Sequence, residues 1–335
     1  MPVAPDADYP HSVPAVSDLI WKENWVIEGL DLDESVAVMF HFSMRPADGE
    51  GIFTAKAQGP DVRIRSVNRH PIGATLDDMR PVTDGSTTFE VLEPKKRFSL
   101  RHEGEDGAMD LVFTGRFEPF DFADGPKPPG TSPLGPIGLS VFPFNHYEQS
   151  LAFEGTITPR KGARAGETIA ISGLGMRDHS WGWRNDFCFR RHHWLCANFA
   201  DRYVQGSAML EAFYPDEKFG GFVSSAAGNE PVSHVVADDP YWLDDPEEPF
   251  GSFERDARYT VTTVAGDTHV ITAHLSDALA KLYLNARSGD RTMVYQDCVI
   301  FCRFTDETSG ESGNGLLEVG KYAEGPGIAD RMGRQ

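Results

Sequence analysis

The chain has 335 residues, 40% hydrophobic and 24% charged, with a formal net charge of −20 at pH 7. That length allows two domains with sizeable cores, and the composition is that of a globular protein. A surface this negative repels phosphate backbones and anionic lipid, which opposes nucleic-acid binding, and no apolar run approaches the roughly 18–20 residues of a membrane span.

The N-terminus, Met1-Pro2-Val3-Ala4-Pro5-Asp6, lacks the basic-then-apolar pattern of a secretory signal. Four sparse cysteines, Cys188, Cys196, Cys298 and Cys302, fit a reducing compartment. Both observations point to the cytoplasm. Period-2 alternation then dominates the chain. Strands are predicted at residues 35–43, 51–56, 98–102, 111–115, 149–155 and 168–172, then at 193–199, 259–263, 269–274 and 298–304. In the last of these Cys298 and Cys302 share a face about 13 Å apart, too far for a disulfide. Short strands separated by turns, with 33 Gly and 23 Pro, describe sandwiches and barrels.

Two stretches break the pattern. Residues 119–145 are rich in Pro and Gly with Phe120, Phe122, Phe142 and Phe144 interleaved, and read as a surface connection or as a cavity rim. Residues 225–250 read as a Pro/Asp/Glu-rich loop carrying Tyr241 and Trp242. The natural domain cut is at Gly173-Leu174-Gly175, read as a sharp turn. It gives one domain over residues 15–172 and a second over 173–325, with a frayed tail after Ala323.

The densest chemistry follows that cut, in Arg177-Asp178-His179-Ser180-Trp181-Gly182-Trp183-Arg184. In an extended chain Asp178 and Ser180 share one face, and Arg177, His179 and Trp181 the other. A histidine titrating near neutrality beside an indole wall suits acid/base work on an apolar substrate. The same residues also suit a packed domain junction. Tyr147 and Glu148 precede a strand that should run close by. Glu148 is either an acid/base whose pKa an apolar pocket raises or, as preferred, an ion-pair partner of Arg177 or Arg184. Cys188, His192, His193 and Cys196 carry zinc-type ligands, but their spacing fits no structural zinc pattern, and a strand sends His192 and His193 to opposite faces. No metal is expected. No G-x-S-x-G elbow, P-loop or dinucleotide fingerprint occurs.

The segment running from Gly173 through Gly175 to Arg177-Asp178-His179-Ser180-Trp181-Gly182 resembles the signature of AttH-like and carotenoid 1,2-hydratase-like proteins, a lipocalin-like group. Asn145 to Gln149, Trp21 to Trp25 and Gly320 to Glu324 resemble weaker stretches of the same family. The resemblance implies an all-β chain of two lipocalin-like antiparallel barrel or sandwich domains packed side by side, with a pocket in or between them. It also implies chemistry of the kind seen in hydratases of isoprenoid double bonds and in fungal pericyclases. His179 and Trp181 match best. The acid that the hydratases place on the following strand is missing here: Asp201 reads as a turn residue and Gln205 is not an acid.

The resulting expectation is a cofactor-independent acid/base enzyme, a hydratase, dehydratase, isomerase or cyclase, acting on a hydrophobic unsaturated small molecule. Its catalytic residues would be His179, Asp178, Glu148 and Tyr147. Trp181, Trp183, Arg177, Arg184 and Tyr203 would bind substrate. A non-catalytic carrier of a hydrophobic ligand and a structural domain pair stay open, as does a homodimer.

Overall fold

The structure is a computed structural model that describes residues 3–13, 21–76, 78–126, 145–183, 189–211, 218–237, 256–287 and 293–324. Among them there is no α-helix, only three short 3₁₀ turns at Pro5–Asp8, Pro46–Asp48 and Phe122–Asp124, and so none long and apolar enough to cross a membrane. The chain divides into two compact units, Met1–Ala123 with Phe142–Arg184, and Asp124–Val141 with Asn185–Gln335.

The first unit holds β1 (Trp21–Asp31), β2 (Val36–Arg45), β3 (Glu50–Gln58), β4 (Arg63–Pro71), β5 (Val82–Thr83), β6 (Thr87–Glu93), β7 (Arg97–Glu103), β8 (Gly107–Gly115), β9 (Phe120–Asp121), β10 (Asn145–Pro159) and β11 (Ile169–Trp183). They form one antiparallel sheet in the order β4-β3-β2-β1-β11-β10-β8-β7-β6-β5, with β9 on β10. The sheet curls around Trp25, Ile27, Phe40, Phe42, Phe53, Phe98, Phe113 and Phe153, all buried. Each such side chain contributes about 1.5–3 kcal/mol through burial.

The second unit holds β12 (Phe189–Asn198), β13 (Arg202–Glu211), β14 (Lys218–Ser225), β15 (Gly228–Ala237), β16 (Ala257–Thr263), β17 (Thr268–Ala273), β18 (Ala280–Arg287), β19 (Met293–Asp306) and β20 (Glu311–Glu324). The order is β17-β16-β15-β14-β13-β12-β20-β19-β18, and β17 also pairs with β19, which closes eight strands into a barrel. Its interior is filled by Leu195, Val204, Val235, Tyr259, Val261, Ile271, Ile300, Phe304 and the free thiols Cys298 and Cys302. The all-β, lipocalin-like architecture is therefore realised as one open and one closed sheet.

The domain cut expected between residues 172 and 173 is corrected. It falls inside β11, which runs unbroken through Trp183 between β1 and β10 of the first sheet. The glycines there serve close approach rather than a turn. A Cβ on Gly173 would stand 2.1 Å from the Leu30 carbonyl oxygen, and one on Gly175 2.0 Å from that of Glu28. A second correction concerns residues 225–250: β15 occupies 228–237, and the remainder, with Tyr241 and Trp242, lies outside the described residues. Of residues 119–145, β9 and a 3₁₀ turn are described, while 127–144, with Phe142 and Phe144, lie outside.

Candidate functional site

Three adjacent strands set the site by register alone. Across β1, β11 and β10, Trp25 stands opposite His179 and His179 opposite Tyr147; Glu23 stands opposite Trp181; Arg177 stands opposite Gln149. Alternation therefore brings Glu23, Trp25, Tyr147, Gln149, Arg177, His179 and Trp181 to one sheet face, continuous with the apolar core. It sends Asp178, His146 and Glu148 to the other.

On the first face the His179 ring lies over Trp25 at 4.4 Å between centroids and 22° between planes. Trp181 is tilted against it at 4.9 Å. Nε2 of His179 is 2.9 Å from Glu23 Oε1, and Nδ1 is 3.3 Å from the Tyr147 hydroxyl. The N-terminal segment lies over this face. His11 stacks on Trp181 at 3.7 Å and 9°. Its Nδ1 is 2.7 Å from Glu23 Oε1, and its backbone N–H donates to Glu23 Oε2 at 3.0 Å. Asp8 Oδ1 accepts from the Tyr147 hydroxyl and from Arg177 Nη1, both at 2.5 Å, and the Lys95 N–H donates to its Oδ2. Val3 and Ala7 pack on Tyr147 beside Trp181. His179, Glu23 and Asp8 are wholly buried, whereas the His11 side chain keeps 24% exposure. The open space expected beside His179 is filled by residues 3–11.

Charge is distributed accordingly. Burial pushes the Glu23 carboxyl up, but hydrogen bonds from His11 and His179 outweigh it and hold the group below its ordinary value. Burial holds His179 below its ordinary value, with Glu23 opposing in part. The pair is therefore a carboxylate and a neutral imidazole. The Glu23 carboxylate can only accept, so the proton between it and His179 sits on Nε2, while the Tyr147 hydroxyl donates to Asp8. Burial also drives the Tyr147 hydroxyl well above the usual phenol range. The result is a run of polar contacts, Asp8–Tyr147–His179–Glu23–His11, whose partly exposed end is His11.

On the opposite face His146 Nε2 lies 3.0 Å from Asp178 Oδ2 and 3.2 Å from Glu148 Oε1, with Phe122 stacked on its ring at 4.4 Å. Burial lowers His146, but Asp178 and then Glu148 raise it to about 9, which makes it an imidazolium at neutral pH. The expected grouping of His179 with Asp178 and Glu148 is thus not formed. The structure brings His179, Tyr147, Arg177 and Trp181 together, and joins Asp178 and Glu148 through His146. Arg177 pairs with Asp8 where Glu148 was expected.

Tyr203 belongs to the second unit, buried on β13 with its ring 5.6 Å from Phe222. Asp201 is an exposed turn residue bonded to Arg202 at 2.9 Å, and Gln205 is buried on β13. His192 contacts Glu318 and Tyr295 on one face of β12, and His193 donates to or accepts from the Tyr259 hydroxyl at 2.9 Å on the other. The Trp183 side chain, Arg184 and Cys188 lie outside the described residues.

Sequence reasoning passed over Glu23, Trp25, Asp8 and His11. Trp21-x-Glu23-x-Trp25 carried a legible signal: a carboxylate between indoles at i±2 in an extended run lies on an apolar face. Asp8 and His11 carried none, because they reach the site only by long-range folding. Among the described residues, three groups bring donor atoms within 4.8 Å of one another: His11, Glu23 and His179; His146, Glu148 and Asp178; and His192, Asp297 and Glu318. In all three the histidine hydrogen-bonds to a carboxylate, which is the geometry of proton sharing.

Solved structures share this fold across the chain. Kievitone hydratase from Nectria haematococca aligns at TM-score 0.55 and 13% identity, covering 95% of this chain and 92% of its own. An AttH protein from Nitrosomonas europaea aligns at 0.55 and 16%, covering 95% and 98%. CghA with Sch210972 aligns at 0.60 and 12%, covering 95% of each. This is the AttH-like, lipocalin-like fold to which the Arg177–Gly182 segment pointed. No curated protein sequence matches the chain. Residues 4–323 match the family described as Domain of unknown function (DUF7064), and the chain belongs to that family.

Proposed function

We propose that the protein is an enzyme that moves protons on a hydrophobic, unsaturated small molecule, using its own side chains as acid and base. The observation that carries this reading is the buried Glu23 carboxylate, held ionised by His179 and His11, whose rings stack on Trp25 and Trp181. Held as a carboxylate by its two imidazoles, Glu23 is a proton acceptor at neutral pH, and the neutral imidazole beside it can relay the proton it gains. Glu23 and His179 are the pair in this reading, and His11 hands protons to and from the side where water reaches. The indoles hold the flat, apolar body of the substrate. Hydration, dehydration, double-bond isomerisation and cyclisation all need this one capacity. Likeness to a hydratase fold favours the first two.

The test uses D2O. Wild-type protein is incubated with a panel of isoprenoid and aromatic alkenes, and deuterium uptake or a mass gain of one water is followed by mass spectrometry. Uptake is expected with at least one class of alkene, and Glu23→Gln or His179→Ala should slow it about 10²–10⁴-fold with the fold retained by circular dichroism. A carrier is the second reading, favoured by the complete burial of His179. It predicts that bound compounds are recovered unchanged and unlabelled, a result that would remove the enzyme proposal.

A further inference from the structure

The Arg177 guanidinium is 2% exposed, on a sheet face otherwise lined by rings, with Phe98 at 4.1 Å and Tyr147 at 4.9 Å. A charge there is costly unless an anion meets it. The sheet prepares the meeting place by itself. Arg177 Nε donates to Gln149 Oε1 at 2.9 Å. The Gln149 amide is in turn fixed by donating to the carbonyls of Lys95 at 2.8 Å and Phe117 at 2.6 Å. Tyr147 O–H, Arg177 Nη1 and the Lys95 N–H then converge on one point. None of these donors belongs to the N-terminal segment. What fills the point is the side chain of Asp8, delivered by the four-residue turn Pro5–Asp8. It fills it incompletely: Arg177 Nη2 is buried and has no hydrogen-bond partner among the described residues. A free carboxylate can take both ends of a guanidinium fork, which Asp8 does not.

From these observations we infer that Asp8 is an internal stand-in, and that Arg177, Tyr147 and the Lys95 N–H form a carboxylate-binding subsite. The substrate class is then a hydrophobic unsaturated acid. With its carboxylate on Arg177, its hydrocarbon body lies along His179, Trp25 and Trp181, because Tyr147 bridges the two halves of the site at 3.1 Å from Arg177 Nη1 and 3.3 Å from His179 Nδ1. Such an acid displaces Asp8, and with it residues 3–11, which uncovers His179. The inference rests on the proposed function for its apolar half, and on Arg177 for its acidic half.

The experiment separates the halves. Binding of trans-cinnamate and of its neutral counterpart cinnamyl alcohol is measured by titration calorimetry on the full chain as wild type, Asp8→Ala and the double variant Asp8→Ala/Arg177→Met. Asp8→Ala should bind cinnamate at least tenfold more tightly than wild type, with cinnamyl alcohol changing less than twofold. The double variant should lose the gain. Equal gains for acid and alcohol would overturn the carboxylate subsite while leaving an apolar site for the proposed function. Binding of neither probe by Asp8→Ala would overturn the subsite and count against the apolar site as well. Because Asp8→Ala leaves Arg177 buried and unpaired, its melting temperature is also followed in sodium acetate and in sodium chloride. Acetate should raise it where chloride does not, and a rise equal in the two salts would equally overturn the subsite.

Discussion

His146 and His179 sit a strand apart, both buried beside carboxylates, and are held in opposite charge states. The difference lies in the count of anions. His146 faces two carboxylates, Asp178 and Glu148, and is raised to about 9. His179 touches only one, Glu23, which it shares with His11; Asp8 adds a weaker pull from farther off, and burial wins. The folded value of His146 lies above the unfolded value near 6.5, so its stabilisation is complete below about pH 6.5 and is lost as pH rises through 9. The loss is on the order of 3 kcal/mol. Urea unfolding at pH 6, 7.5 and 9.5 should show that decline in the wild type. His146→Gln should start lower at pH 6, with Glu148 and Asp178 left facing each other, and should change little as pH rises. An alkaline slope unchanged in the variant would mean that another group titrates. At this scale the sequence was partly legible. Alternation placed His179 with Trp181 and away from Asp178, but adjacency in sequence suggested Asp178 as a partner, and only the register of β10 against β11 reveals His146.

A strand that carries a catalytic face must also fit between its neighbours, and β11 does so through its glycines. At Gly173 and Gly175 the carbonyls of β1 come within 2.0–2.1 Å of where a Cβ would lie, and at Gly173 the Phe153 ring stands 3.0 Å from it as well. Gly29 on β1 completes it, since its Cβ would meet that ring at 2.5 Å. Gly175→Ala should therefore cost about 2–3 kcal/mol by overpacking. At Gly166, where φ is +83° and nothing lies within 4 Å, alanine meets only backbone strain and should cost about 1 kcal/mol. Equal losses in denaturant unfolding would show that conformational freedom, not close approach, is what the β11 glycines supply. The same crowding explains why the domain cut was misread, since Gly-x-Gly means a turn only where nothing is packed against it. β1, singled out in the sequence only for the likeness of Trp21 to Trp25 to the family, is absent from the strands predicted by alternation for a different reason. Trp21–Asp31 is buried along almost its whole length on both faces, so it lacks the in-out alternation that betrays β8 or β16.

For the molecule as a whole, composition and turn density announced an all-β chain, and the strands that alternate were found in both units. What composition could not give is that one sheet stays open, with a polar strip on its concave face, while the other closes on itself. Closure rests on the pairing of β17 with β19, a long-range contact with no local signature. The closed barrel nevertheless keeps a histidine ring inside. His193 alternates with Leu195 and Ala197 on the inner face, bonded to the Tyr259 hydroxyl at 2.9 Å, and burial lowers it to about 3. Here the folded value lies below the unfolded one, so the stabilisation is present above about pH 6.5 and disappears as pH falls toward 3. Between pH 6.5 and 4 the loss is on the order of 3 kcal/mol. With His146 acting in the opposite direction, stability should peak near neutral pH, and His193 should account for part of the acid limb, beside His179 and Glu23 of the first unit. His193→Leu should be less stable at pH 7, because the Tyr259 hydroxyl loses the hydrogen bond to His193, at a cost of about 1 kcal/mol. It should also lose much less between pH 7 and 4 than the wild type, leaving the alkaline limb intact. An acid limb of unchanged slope in that variant would place the acid-sensitive group outside the barrel.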